Sequence, residues 1–368
     1  MTEYGGWQRP SCFPRPGEND SAAIRREVLA VRNAAGVFDA SPLGKIELAG
    51  PDADLLVERI YANSMRNLKP GRVRYGLMLN EEGVVIDDGV AVRRSSQRWL
   101  LNTTSAGAQR IADWIEQWHQ CEWPDLRIAV AAVTTAWATV TLTGPRAKEV
   151  ITALGTDVDL DAFPHLAFRE GLIAGVEARL TRVSFTGEAS YEIAVAWNAG
   201  AALWERIIAA GAAFGIAPIG VEAWMVLRTE KGFLHVGTDT DGSTIPPDVG
   251  FGPAVAGRIE DFIGKRALSL PVHCRPDRLQ LVGVEPAEPD QPLVPGTHLL
   301  DQSQSASMGF ITSACDSPTL GRWIGLALVK GGRSRFGQSF TTEDFGRRGR
   351  VRVLKPSHHD PEGLRCHG

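Results

Sequence analysis

The stretch RVRYGLMLNEEGVVIDDGVAVRR (72–94) constrains the fold of this chain more than any other part of the sequence. Apolar side chains recur at every second position from Val73 to Leu79, which is the period of a β-strand with one buried face. Asn80–Gly83 reads as a turn, because glycine adopts the positive φ that tight turns require. A second strand follows, so the sequence predicts a β-hairpin.

Asp88 stands in the middle of the more apolar face of the second strand. Because side chains alternate along a strand, that face consists of Val84, Ile86, Asp88, Val90 and Val92. Burial makes an ionised carboxylate costly, so such a group is either satisfied by partners or used. One interpretation places Asp88 at a sheet edge facing water, and the other places it in a functional site. Gly89 favours close approach by another group, such as a ligand, which supports the second interpretation.

Helices and strands alternate through the first 270 residues. Residues 21–35 have helical spacing with Ser21 as the N-cap, and 43–50 alternates as a strand. The order strand, Gly-Pro, helix occurs at 43–63 and again at 138–155, which indicates a duplicated unit. Further elements are a hairpin at 176–197 and helices at 203–214 and 220–233. The sequence predicts an α+β fold.

The composition changes at residue 271. Proline and charge become frequent in PVHCRPDR (271–278), and short strands with Gly and Pro turns follow. Such strands are typical of a small all-β barrel. We therefore expect one region of two α+β subdomains over residues 1–270 and a C-terminal β-barrel domain over residues 271–368.

Glu192 is the second candidate carboxylate. It shares a strand face with the small residues Ser190, Ala194 and Ala196. Such a face has room for a planar heterocycle whose amino and ring N–H groups pair with the carboxylate in a bidentate manner. The alternative is a solvent-facing polar side of the strand.

Composition and charge exclude several classes of function. The formal net charge is −4 without a basic bias, so we expect no nucleic-acid partner. No apolar run approaches the ~18 residues of a membrane span, and the N-terminus does not resemble a signal peptide, so we expect a cytoplasmic protein outside the membrane. The five scattered cysteines fit a reducing compartment, and no four-ligand spacing for a metal is present.

Several stretches together resemble one family in its own order. They are GVFDASPLGKIELAGPDA (36–53), YGLMLNEEGVVIDDGVAV (75–92), LTGPRAKEV (142–150), RVSFTGEASYEIAV (182–195), LRTEKGF (227–233) and DFIGKRAL (261–268). The chain resembles the glycine-cleavage T-protein (aminomethyltransferase, GcvT-like) family, and within it the C-terminal folate-binding part of the sarcosine oxidase alpha subunit. The resemblance implies a GcvT-like folate-binding fold with antiparallel sheets and helices around a central cavity, followed by a small C-terminal β-barrel.

The resemblance also implies roles for individual residues. Asp88 matches the catalytic aspartate near N10 of tetrahydrofolate, and Glu192 matches the residue that holds the pterin. Tyr75 and Asn102 match positions lining the folate cleft. Family arginines at Arg182 and Arg228 either bind the cofactor, are structural, or pair with carboxylates.

Three departures from the T-protein pattern bear on the reaction. Trp224 stands where T-proteins carry an arginine, and Phe185 stands where they carry a tyrosine. A T-protein tyrosine near the C-terminus falls around Ser357, His358 and His359 of this chain. These departures make a reaction with a lipoyl carrier doubtful. They fit a protein that takes its one-carbon unit from an amine-oxidation product.

We therefore expect tetrahydrofolate-dependent one-carbon transfer. The resemblance implies that the carbon of an oxidised, sarcosine-like N-methyl amine, as its imine or formaldehyde product, is captured as 5,10-methylenetetrahydrofolate. The flavin module of the larger subunit is not in this chain, so we expect a free-standing or split component working with flavin-containing oxidase subunits. The alternatives are a stand-alone folate-dependent demethylase or aminomethyltransferase, and a non-catalytic folate-binding subunit of an oxidase complex.

Overall fold

The computed structural model describes residues 1–367 and divides the chain into two compact units. The first contains Met1–Leu77, Asp87–Trp224 and the C-terminal residues from Gly363. The second contains Met78–Ile86 and Met225–Glu362. Both units combine segments that are distant in the sequence, whereas the predicted division at residue 270 is a single cut and stays a prediction.

A large mixed sheet dominates the first unit. The strands before the barrel are β1 (Thr2–Tyr4), β2 (Trp7–Arg9), β3 (Ala35–Asp39), β4 (Gly44–Ala49), β5 (Arg72–Leu79), β6 (Val85–Ser95), β7 (Arg98–Thr103), β8 (Ala129–Ala132), β9 (Trp137–Thr143), β10 (Ala167–Ile173), β11 (Val176–Arg182), β12 (Ser190–Ala196) and β13 (Ile216–Pro218). The strand order is β13-β3-β9-β12-β11-β10-β5-β6-β7-β4-β8, while β1 and β2 pair separately. β13 is parallel to β3, and the other pairs with a recorded register are antiparallel.

Seven α-helices accompany the strands within residues 1–367. They are α1 (Asp20–Asn33), α2 (Ala53–Ile60), α3 (Ala108–Glu122), α4 (Ala147–Leu154), α5 (Gly200–Gly211), α6 (Val221–Lys231) and α7 (Gly252–Val255). The described residues contain no helix that is both long enough and apolar enough to cross a bilayer.

One face of the large sheet is covered by helices and forms the main core. Leu142 of β9 and Ile193 of β12 belong to one buried cluster with Val150 of α4 and Ile207 of α5. Full burial of an aliphatic side chain of this size adds ~1.5–3 kcal/mol to the free energy of unfolding. This helix-covered face therefore anchors the sheet.

The opposite face, called the inner face here, carries Phe38, Thr141, Glu192 and Thr181 in one cross-strand row. On this face Arg179 of β11 donates a 2.6 Å hydrogen bond to Glu47 of β4. Five strand spacings separate β11 from β4 in the sheet order, which would be roughly 24 Å in a flat sheet. The sheet therefore curls, and the inner face is concave.

The second unit contains a closed six-stranded barrel in the order β14-β17-β16-β15-β18-β19. Its strands are β14 (Leu279–Pro286), β15 (His298–Leu300), β16 (Ser307–Ser317), β17 (Arg322–Lys330), β18 (Ser339–Asp344) and β19 (Arg347–Leu354). Val282, Val329 and Val351 are fully buried in its interior. Closure leaves no free sheet edge, and the predicted C-terminal barrel is confirmed.

The predicted hairpins are β5–β6 and β11–β12, and the duplicated strand–helix unit is β4–α2 and β9–α4.

The predicted N-cap of α1 is wrong. Asn19, not Ser21, precedes the helix, and its Oδ1 accepts a 2.9 Å hydrogen bond from the Ala22 backbone N–H. Asparagine is as favourable at the N-cap position as serine. Because the helix starts earlier, Asp20 lies in its first turn, where the helix dipole favours an anion.

Candidate functional site

The adjacent carboxylates Asp87 and Asp88 of β6 point to opposite faces of the sheet. Asp87 is fully buried, and Thr104 donates to it from its backbone N–H (3.3 Å) and its hydroxyl (3.1 Å). Arg110 lies 3.8 Å away. Burial raises the pKa of Asp87, while these hydrogen bonds and the Arg110 charge oppose that shift. Asp87 is therefore satisfied within the protein, where it holds the segment between β7 and α3.

Asp88 lies on the inner face, where the Tyr75 hydroxyl donates a 2.6 Å hydrogen bond to its Oδ2. Burial and the charge on Asp87 raise the pKa of Asp88 to about 7, against the opposing Tyr75 hydrogen bond. Burial also raises the pKa of Tyr75, so the phenol stays protonated and donates. No described residue donates to Asp88 Oδ1. One carboxyl oxygen is therefore fixed and the other is available to a ligand.

Gly89 permits close approach by a neighbouring strand. A Cβ at this position would lie 1.9 Å from the backbone oxygen of Asn102 in β7. The predicted close approach is therefore present, and the approaching group is the backbone of the adjacent strand. Glycine lets β6 and β7 pair tightly beside Asp88.

Asn102 and Lys45 face each other across β7 and β4 on the inner face. Asn102 Oδ1 is buried and has no hydrogen-bond partner among the described residues. The Lys45 ammonium donates to the backbone oxygens of Ser41 (3.0 Å) and Leu43 (2.8 Å). The site thus contains an unused acceptor and a buried cation.

Glu192 occupies the centre of the cross-strand row, directly opposite Thr141. It is half-buried, and no described residue donates a hydrogen bond to its carboxylate. Burial raises the pKa of Glu192 to about 7, and the positive charge of Lys45 opposes this rise. Nearby hydroxyls on the same face are buried without partners, namely those of Thr139, Thr141 and Ser190. This group of unused acceptors suits a ligand with several N–H donors.

An apolar cluster shares the inner face with the two carboxylates. Val92 follows Asp88 on β6, and Phe168 pairs with Thr181 in the row of Glu192. Both belong to one buried cluster with Val73, Leu100 and Val183. Low-polarity surroundings disfavour charged carboxylates, which explains why burial dominates both pKa shifts.

Trp224 and Phe185, two of the departures from the T-protein pattern, contact each other. Trp224 stacks on Phe38 with ring centroids 4.2 Å apart, and Phe185 stacks on Trp224 at 5.5 Å. Phe38 belongs to the row of Glu192. Arg9 of the N-terminal hairpin lies over the Phe38 ring at 4.7 Å. The inner face therefore ends in an aromatic wall.

The two predicted arginines lie elsewhere. Arg182 is next to Thr181 in β11, so it projects to the helix-covered face, where it donates to the backbone oxygens of Phe163 (2.5 Å) and His367. Arg228 belongs to the second unit and is fully buried in an ion pair with Asp239, with a 2.7 Å bond to Ser313 Oγ. Both arrangements match the structural alternative that the sequence left open.

Sequence reasoning missed Lys45 and the threonine hydroxyls. In LGKIELAG, Lys45 and Glu47 alternate with apolar residues as they would on a solvent-facing strand side. Thr139, Thr141 and Thr143 look equally ordinary in ATVTLT. No local signal indicates that a curled sheet encloses these positions. Among the described residues, no three His, Cys, Asp or Glu side chains are grouped so as to hold a metal ion.

Two family models match the chain. The GCVT N-terminal domain matches residues 1–258, and the glycine cleavage T-protein C-terminal barrel domain matches residues 280–360. The fold resembles the crystal structure of glycine cleavage system aminomethyltransferase T from Bartonella henselae, with a TM-score of 0.86 and 24% identity. That match covers 100% of this chain and 94% of the other. The predicted α+β GcvT-like fold with a C-terminal barrel is confirmed.

Relatives of two kinds are similar in sequence. Sarcosine oxidase subunit alpha from Corynebacterium sp. (strain U-96) is 43% identical over 376 residues, covering 100% of this chain and 39% of the relative. The chain thus spans about two fifths of the length of that relative. An aminomethyltransferase from Shouchella clausii is 31% identical over 355 residues, covering 96% of this chain and 92% of the relative. The chain belongs to the glycine-cleavage T-protein family of aminomethyltransferases, as its sequence predicts.

Proposed function

We propose that this protein binds tetrahydrofolate and captures the carbon of an oxidised N-methyl amine, such as sarcosine, as 5,10-methylenetetrahydrofolate. One observation carries the proposal. Asp88 has a pKa near neutrality, one oxygen fixed by Tyr75, and one oxygen available on the concave inner face. A carboxyl group in that state suits proton transfer at a bound ligand.

The residues of the inner face fit a reduced pteridine. The ring system offers an amino group and a ring N–H side by side, and the Glu192 carboxylate is open to such a donor pair. Asn102 Oδ1 and the hydroxyls of Thr139, Thr141 and Ser190 are buried acceptors without partners in the protein. Leaving buried acceptors unpaired costs free energy, and ligand donors remove that cost.

The roles of the side chains follow from their positions. Bound tetrahydrofolate would supply the nitrogen nucleophiles that take up the one-carbon unit. Asp88 orients an N–H of the ligand through Oδ1 and accepts its proton, while Tyr75 holds Oδ2 and keeps the carboxyl in one orientation. One such proton-transfer group contributes ~10²–10⁴-fold in rate. Glu192 binds the ring. Orientation of both reactants lowers the activation free energy by up to ~7–11 kcal/mol.

We propose flavin-containing oxidase subunits as partners that generate the oxidised amine. The similarity to sarcosine oxidase subunit alpha over the whole chain supports this source of carbon. The aromatic wall supports it as well, because Trp224 and Phe185 stand where the T-protein pattern has an arginine and a tyrosine. For Arg182 and Arg228 we propose structural roles, since their hydrogen bonds go to protein groups.

Two variants test this function. Asp88→Asn keeps the size of the side chain, so we expect tetrahydrofolate affinity within about threefold of the parent and a rate lowered by ~10²-fold or more. Glu192→Ala removes the ring partner, so affinity should fall by about tenfold or more. Anaerobic titration calorimetry measures binding. Coupled turnover of sarcosine by a flavin oxidase, with separation of folate products, measures transfer.

The products also discriminate the competing functions. Formation of 5-methyltetrahydrofolate without an oxidase would support the stand-alone demethylase instead. Binding of tetrahydrofolate with no folate product under either condition would support a non-catalytic subunit. Unchanged methylene product in Asp88→Asn would remove Asp88 from the mechanism.

A further inference from the structure

Lys45 is a buried cation on the inner face that the proposed reaction does not use. Its side chain is 3% exposed, and two backbone oxygens, those of Ser41 and Leu43, fix the ammonium at 3.0 and 2.8 Å. A lysine held this way loses hydration without gaining a carboxylate at hydrogen-bond distance. Burial of an ammonium is costly, so its retention requires an explanation.

Hydrogen bonds place the ammonium beside the strand that carries the row of Glu192. Ser41, which binds the ammonium through its backbone oxygen, accepts a 3.0 Å hydrogen bond from the Thr139 backbone N–H at its hydroxyl. The Ala40 backbone N–H donates to the Thr139 oxygen at 2.9 Å. Thr139 and Thr141 lie on the same face of β9, and Thr141 is opposite Glu192. The segment between β3 and β4 therefore ties the Lys45 ammonium to β9, the strand that pairs with the Glu192 strand β12.

Few other charges act on this pair. The charged groups that face Lys45 are Glu192 on β12 and Asp39 at the end of β3. Asp39 Oδ1 accepts a 2.9 Å hydrogen bond from the Ser41 backbone N–H, so it belongs to the same turn. The charge of Lys45 opposes the rise that burial causes in the pKa of Glu192.

We infer that Lys45 is a positioning residue whose fixed ammonium favours the ionised form of Glu192, the form that binds the paired N–H donors of a cyclic ligand. The inference rests on the proposed ring-binding role of Glu192. Lys45 acts through the field of its charge rather than by contact with the ligand. The backbone carbonyls of Ser41 and Leu43 hold the ammonium in place. Both carboxylate oxygens of Glu192 therefore stay available to the ligand.

The direction of the effect follows from electrostatics. Burial raises the pKa of Glu192 to about 7, and the Lys45 charge is what opposes that rise. Without the cation, the pKa of Glu192 lies higher, and the carboxyl is protonated at neutral pH. A protonated carboxyl loses one acceptor and gains a donor, so it no longer matches two N–H groups.

A ligand-free measurement tests the pair independently of the proposed function. The ¹³C-carboxyl signal of Glu192, assigned by comparison with Glu192→Gln, is titrated in the full chain and in Lys45→Met and Lys45→Arg. We expect the midpoint to rise by about one pH unit or more in Lys45→Met and to stay near the parent value in Lys45→Arg. Lys148→Met, which removes an exposed lysine of α4, is the matched control. An unchanged midpoint in Lys45→Met would overturn the inference.

A reciprocal measurement covers the case in which Lys45→Met does not fold. Burial lowers the pKa of Lys45 to about 8, and the Glu192 charge raises it against that trend. In Glu192→Gln, the ¹³Cε signal of Lys45 should therefore titrate at lower pH than in the parent chain. Equal midpoints in the two chains would show that the groups do not interact, and the inference would fail.

Binding then links the pair to the ligand. Anaerobic titration with tetrahydrofolate should give about tenfold weaker affinity for Lys45→Met near pH 7, recovering to within about threefold near pH 9. A loss of packing would weaken binding equally at both pH values, and that result would reject the charge role. If the carboxyl midpoints shift as expected but the parent chain does not bind tetrahydrofolate, only the proposed function fails.

Discussion

The Tyr75 hydroxyl donates a 2.6 Å hydrogen bond to Asp88 Oδ2, across the neighbouring strands β5 and β6. This bond stabilises the charged form of the carboxyl and opposes the effect of burial on its pKa. Because the Tyr75 hydroxyl holds Oδ2, it also fixes the orientation of the Asp88 carboxyl and hence the position of Oδ1. The pairing of Tyr75 with Asp88 thus sets both the charge and the direction of the proposed catalytic group.

Tyr75→Phe should raise the pKa of Asp88 above its present value of about 7, because it removes a hydrogen bond to the ionised form. The acid limb of the pH–rate profile should shift to higher pH by about one unit. The rate at pH 7 should therefore fall, and a higher pH should restore part of it. Steady-state formation of 5,10-methylenetetrahydrofolate across the pH range measures the shift.

The Asp88→Asn background provides the control for Tyr75→Phe. With the titrating group removed, the phenylalanine should leave the pH dependence of residual product formation unaltered. A shift of equal size in that background would mean that Tyr75 acts through some other group.

Asp88→Asn should stabilise the fold at alkaline pH. The folded pKa of about 7 lies above the ~3.9 of an unfolded aspartate, so the stability that Asp88 provides is fully present below ~pH 4 and is lost as pH rises through ~7. Asparagine does not titrate and avoids this loss. The gain over the parent should grow by about 1–3 kcal/mol between about pH 5 and pH 8.

Urea unfolding at several pH values measures that gain. Asp113→Asn, an exposed carboxylate on α3, serves as the matched control and should show no such trend. A constant difference between Asp88→Asn and the parent at all pH values would contradict burial as the cause of the raised pKa.

Gly89→Ala should destabilise the first unit, because its Cβ would lie 1.9 Å from the Asn102 backbone oxygen. Strands β6 and β7 would have to separate, at a cost of about 2–4 kcal/mol. Gly242→Ala is the control, since no atom lies within 4 Å of its added Cβ. Thermal unfolding of both variants measures the difference, and equal melting temperatures would contradict the tight strand pairing.

Arg228→Met should destabilise the second unit without a direct effect on folate binding. It leaves the buried Asp239 carboxylate without its cation, which costs about 3–5 kcal/mol. Adding Asp239→Asn should recover part of the loss, because the uncompensated charge is then removed. Chemical unfolding measures stability, and calorimetry on the folded fraction measures tetrahydrofolate affinity.

A fall in the affinity of folded Arg228→Met, with stability unchanged, would favour the cofactor-binding interpretation of this arginine. Arg275→Met, which breaks the exposed pair with Asp277, is the control and should alter neither quantity.

Local patterns were sufficient for most elements and for one feature of the site. Alternation predicted the β5–β6 hairpin and placed Asp88 on the same side as Val90 and Val92, because the two-residue period of a strand is a local property. Side-chain alternation could also have placed Arg182 and Glu192 on opposite faces of the sheet. That inference requires the register between β11 and β12, which the sequence does not give. That register pairs Thr181, not Arg182, with Glu192.

The strands, the helices, the C-terminal barrel and the family could be predicted from local information, because residue period, turn chemistry and ordered motifs lie along the chain. Which charged side chains meet depends on the folding of the sheet. Lys45 reaches the row of Glu192 because the sheet curls, and β4 and β12 are six strands apart in its order. Burial and electrostatic fields depend on groups brought together from distant positions, so the charge state of the site could not be derived from neighbouring residues alone.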